Sequence, residues 1–224
     1  MSGVDEVTGM REHGRAGQAA EAIQGHKGAR PAWGVWGGAA IATGGVLLMV
    51  ATLVEIAYWE APNTGLLSVF TVVFLGSTVA HSLAMIPLSG GRSGSDGIVG
   101  SSLVGRIALL AFGALFLTSQ TVYYTVTYAL PEVDDYSGVL ILSTVLSATQ
   151  MVLLLVGAIV IVRAKVATGA ARWAFLALSG LSILTGVIAN GTGRAEVAAV
   201  ALLCSTGTQI VVGLVLATTR SRAS

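Results

Sequence analysis

Apolar residues in this chain neither alternate nor trace one stripe of a helix. They come in long unbroken blocks, separated by short clusters of Gly, Pro, Asn, Asp and charged residues. A helix needs about 20 apolar residues to cross the roughly 30 Å of a bilayer's hydrocarbon. Six stretches meet that requirement, at 35–57, 65–88, 107–130, 139–162, 173–190 and 197–219. The joints between them carry breaker chemistry: Ala61-Pro62-Asn63-Thr64-Gly65, the Gly/Ser-rich segment 89–100, segment 131–138 with its Pro and two Asp, and Gly191-Thr192-Gly193. The pattern predicts an all-α fold: a polytopic integral membrane bundle of six transmembrane helices over 32–219, with sequence neighbours packed as antiparallel hairpins. Residues 1–31 are polar, with charges of both signs, and read as a disordered cytoplasmic tail. Residues 220–224 form a second, short cytoplasmic tail. The first block follows a long polar segment and outruns the h-region of a signal peptide, so it reads as a retained helix.

Composition agrees. Of the 224 residues, 54% are hydrophobic and 10% charged, against about 25% charged in a soluble domain. A net charge of +1 gives no basic field for nucleic acid. The single cysteine, Cys204, makes no internal disulfide and no metal cluster, and reads as an apolar filler. Abundant Ala, Gly, Val and Arg suggest a bacterial chain. No phosphate loop, dinucleotide fingerprint, nucleophile elbow or zinc-protease helix is present. No lysine lies in a helix core, so a retinal Schiff base is excluded, and no cofactor or metal is expected.

Charge sets the expected orientation, because Lys and Arg are retained on the cytoplasmic side. Threading the chain six times puts 11 of its 12 basic residues on one side, with Arg194 the exception. Both termini are therefore expected in the cytoplasm, and the plasma membrane is the expected location. Glu60, Glu132, Asp134, Asp135 and Glu196 fall on the other side, which makes the outer face acidic.

Two ionisable residues lie at membrane depth, where such groups are costly and usually face protein or water. Glu55 stands near the outer end of the first helix and His81 in the inner half of the second. At 1.5 Å per residue their heights differ by roughly 15 Å, so they read as two separate ion or proton stations, or as two unrelated structural residues. One histidine cannot complete ordinary haem or zinc ligation. Neutral polar groups are more numerous. On an ideal helix Gln120, Tyr124, Thr127 and Tyr128 share one face. The fourth helix places Ser143, Ser147 and Gln150 together, the fifth Ser182 and Thr185, and the sixth Ser205, Thr206, Thr208 and Gln209. They either line a cavity or hydrogen-bond a dry bundle, at about 0.6 kcal/mol per bond. Tyr58, Trp59, Tyr128 and Tyr136 fit an aromatic belt. Ser147–Val152 and Thr206–Val211 echo each other, by chance or as a helical repeat.

Three functions follow from these patterns. The first is a small permease or transport subunit, its small-molecule ligand held by Gln120, Tyr124, Gln150 and Gln209, with Glu55 and His81 as ion or proton stations. The second is a non-catalytic partner or immunity-type subunit, using Gly34, Gly38 and Ala42 to dock a partner helix or a second copy of itself, although this small-residue ridge more readily serves packing within the bundle. The third is a membrane enzyme on a lipid or isoprenoid substrate, with Glu55 as the catalytic acid. The balance of these features leans away from an enzyme.

Overall fold

The computed structural model describes residues 30–91, 97–130, 137–191 and 194–219. The tails and the acids of segment 131–136 lie outside the described residues, as do Arg92 and most of the basic N-terminal segment. The described residues form six helices, each long and apolar enough to span a membrane: α1 (Trp33–Glu60), α2 (Thr64–Gly90), α3 (Leu103–Ala129), α4 (Ser137–Ala164), α5 (Ala170–Gly191) and α6 (Ala195–Thr218). No strand occurs among the described residues. The chain is a multi-pass, all-α membrane bundle.

Most helices extend past their apolar blocks because the backbone stays helical until a cap or turn stops it. The Asn63 side chain accepts from Leu66 N–H at 2.8 Å and starts α2; Ser102 accepts from Gly105 N–H at 3.2 Å and starts α3. The early start of α3 takes in Arg106, whose guanidinium donates back to Gly100 O at 3.3 Å. Past the end of α4, Lys165 adopts φ 57°, and Gly169, also at φ 57°, precedes α5.

Packing runs in chain order, α1 on α2 through α5 on α6, and α6 returns to α1, so that the six helices close a ring. The closing seam is made of small residues. A Cβ on Gly38 would collide with Ala217 N and Gly213 O, and one on Gly213 with the backbone of Ala42. Gly34 lies likewise against Leu216 O, 2.8 Å from where its Cβ would stand. The ridge Gly34, Gly38, Ala42 is thus covered from within by α6. Of the two uses the ridge allows, internal packing is the one seen here: small residues on α6 match it at the same four-residue spacing.

The bundle has two faces. The hairpin face carries the α1–α2 turn at 61–63; the terminal face carries both described chain ends. Outward-facing side chains such as Val72, Ile86, Ile141, Val145, Val152 and Val211 are apolar and exposed, as lipid contact requires. Toward the terminal face the ring is filled by a dry core that includes Trp33, Leu88, Ile98, Leu109, Ile161, Phe175 and Leu216. Toward the hairpin face the described side chains leave interior space unfilled.

Candidate functional site

Two chambers occupy that interior, stacked along the ring axis. The hairpin-side chamber, about 540 Å³, is lined by Thr52 and Glu55 of α1, Phe70 and Phe74 of α2, Ser119, Gln120, Tyr123 and Thr127 of α3, Ser143 and Ser147 of α4, and Thr206 of α6. The terminal-side chamber, about 320 Å³, is lined by His81, Phe116, Gln150, Phe175, Ser182, Thr185, Ser205 and Gln209, with further apolar residues. Leu48, Ser119, Gln120, Ser147, Leu202 and Thr206 line both and form a collar where the chambers meet. Along α1 the lining runs from Glu55 to Ile41, a depth of about 21 Å at the helical rise.

Glu55 is half-buried, and its Oε1 accepts hydrogen bonds from the hydroxyls of both Tyr123 and Tyr128. On an α-helix, residues five apart point about 140° away from each other. The last turn of α3, Thr125–Ala129, is instead a π-helix, closed by Leu130 N–H to Thr125 O at 2.9 Å. The wider turn brings position 128 round to 123, an example of a π-bulge at a candidate site. Tyr128 is therefore more than a belt residue. Its ring packs, edge-on or tilted, within an aromatic group with Tyr58, Trp59, Phe70 and Tyr124.

His81 is buried, and its tautomer follows from its contacts. Nδ1 lies 3.0 Å from the Ser77 carbonyl and 3.3 Å from Ser77 Oγ, while Ser77 Oγ donates to Gly44 O at 2.8 Å. A carbonyl only accepts, so Nδ1 carries the hydrogen and Nε2 is the free position in the neutral ring. Nε2 is buried without a hydrogen-bond partner, and so is Gln209 Oε1, although the Gln209 side chain lies beside the ring. Both atoms belong to residues that line the terminal-side chamber.

The other expected site residues separate. Gln120 sits in the collar. Gln150 lines the terminal-side chamber and donates through Nε2 to Leu115 O at 2.9 Å, so it also ties α4 to α3. Tyr124 lines neither chamber; its hydroxyl is bonded to Thr71 Oγ1 at 2.9 Å and its ring packs on Phe70 and Phe74. The expected face Gln120, Tyr124, Thr127, Tyr128 is turned by about one residue, and Tyr123 takes the wall position. Glu55 and His81 occupy different chambers, as their heights predict. Thr118, Thr121, Thr149 and Thr208 need no cavity, because each hydroxyl donates to the carbonyl four residues earlier on its own helix. The α4–α6 echo has a positional counterpart: Ser147 and Thr206 both sit in the collar, and Gln150 and Gln209 both line the chamber below it. No group of three His, Cys, Asp or Glu able to hold a metal occurs among the described residues.

Comparison with known proteins gives no match: no family profile fits the chain, and neither a curated relative nor a solved structure of similar fold is found.

Proposed function

We propose that this protein is a small permease or transport subunit of the plasma membrane, with both termini cytoplasmic and the hairpin face outward. The observation that carries the reading is the continuous interior space, two chambers joined at a collar, mostly apolar but set with a few Gln, Ser, Thr and Glu side chains, and backed by a dry core on the terminal side. A carrier needs a ligand-sized space reached from one side and closed at the other, with few polar groups to orient the ligand. Gln120 at the collar, with Gln150 and Gln209 below it, would make those contacts as a ligand descends. The other two functions draw less support. Among the described residues Glu55 is the only carboxylate lining either chamber, so acid chemistry there lacks a second carboxylate. The glycine ridge that a partner subunit would use is occupied by α6.

Proteoliposomes loaded with choline, lactate, glycerol and ethidium test the reading. The purified protein should speed the release of at least one solute, and Gln120→Trp, which plugs the collar, should bring release back to the protein-free rate. Release of every solute at the protein-free rate would overturn the assignment.

A further inference from the structure

The hairpin-side chamber combines three features that together define a ligand chemistry. It is mostly apolar, and Phe70, Phe74 and Tyr123 present rings in its wall. Among the described residues it holds one carboxylate, Glu55, and neither chamber is lined by any Lys or Arg. Two tyrosine hydroxyls both donate to Glu55 Oε1, which fixes the carboxylate, while no hydrogen bond from the described residues is directed at Oε2. A half-buried carboxylate in an apolar, ring-walled space, with no counter-charge among the described residues that line it, is placed to pair with a cation that brings its own apolar surface.

We propose that this chamber binds a lipophilic organic monocation, its charge against Glu55 Oε2 and its apolar body against the rings; the site stands on its own geometry, and only the ligand's passage through the protein rests on the transport reading. A small inorganic cation fits poorly, because it demands a shell of several oxygens, and the described residues supply no cluster of acidic ligands. A neutral apolar molecule would leave Glu55 unpaired. An organic cation loses little hydration on entering, gains a full counter-charge, and gains ring-face attraction that grows as water is excluded. The chamber volume of about 540 Å³ falls within the roughly 300–1,000 Å³ typical of small-molecule sites.

Tetraphenylphosphonium and tetraphenylborate have the same shape and opposite charge, so they isolate the charge preference. Equilibrium dialysis on the purified full chain in detergent should show the phosphonium binding at least about tenfold more tightly than the borate. Glu55→Gln should erase that preference and Glu55→Asp retain part of it. A second measurement needs no variant. A hydrophobic carbodiimide should modify Glu55 in the native protein, located by peptide mass spectrometry, and the phosphonium but not the borate should slow the reaction. Equal binding of the two ions, an unchanged preference in Glu55→Gln, or a modification rate indifferent to the phosphonium would each overturn the proposal. These are binding measurements, so a failure here is distinct from solute-tight proteoliposomes, which would sink the transport reading and leave the site intact.

Discussion

At Gly44 the absence of a side chain is what gives the His81 ring its place. A Cβ there would lie 2.5 Å from Nδ1, and the Gly44 carbonyl anchors the Ser77 hydroxyl that faces the same nitrogen. Gly44→Ala should therefore push the ring off the Ser77 carbonyl and destabilise the protein by about 1–3 kcal/mol. Melting in detergent checks this, and the cost should largely vanish in a His81→Ala background. An equal cost in both backgrounds would show that Gly44 serves something other than the ring. The same scale shows what a sequence does and does not reveal. Glu55 and His81 stand out because ionisable groups are rare at membrane depth. The Glu55 partners Tyr123 and Tyr128 do not, because five-residue spacing lies off any α-helical face, and only the π-turn at Thr125–Ala129 brings them together. Tyr124 misleads for another reason: it lies before that turn, in regular α-helical register with Gln120, yet the wall runs through Ser119, Tyr123 and Val126, and Tyr124 bonds Thr71 between α2 and α3. The threonines mislead differently, since a hydroxyl that bonds its own helix looks, in sequence, like a group seeking a cavity.

Among the helices, α1 and α6 carry the contact that turns a row of hairpins into a ring. Neighbouring helices are held near each other by short connections, but this seam joins the two ends of the domain. Backbone approach at Gly38 and Gly213 supplies it through van der Waals packing, the main source of helix association where lipid removes the hydrophobic drive. Gly38→Leu or Gly213→Leu should force the seam apart, costing about 1–3 kcal/mol from overpacking and lowering the melting temperature. Gly180→Ala on α5, where a Cβ meets nothing within 4 Å, should be neutral or stabilising by up to about 1 kcal/mol. If the three variants melt alike, the seam is not what closes the ring. The small residues of α1 are legible in the sequence, yet their partner is not. Gly213 and Ala217 show the same spacing, but only tertiary placement tells an internal match from an external one.

For the whole molecule, the number and approximate bounds of the six helices were legible because bilayer thickness sets one length for every span and the breaker clusters mark the joints. The ring, the stacked chambers and the dry core at the terminal face were not, because they depend on which side of each helix turns inward. All of the functional reading follows from that inward side carrying the polar groups and being reachable by water, with a largely apolar side facing lipid. Cysteine scanning tests this directly. In a Cys204→Ser background, cysteines at Gln120 and Ser147, both in the collar, should react with a charged, water-soluble thiosulfonate in reconstituted membranes. Cysteines at Val145 and Val152, both exposed on the outer surface of α4, should stay unlabelled. Labelling at the two valines with none at Gln120 and Ser147 would contradict a water-accessible interior and, with it, the carrier built on it.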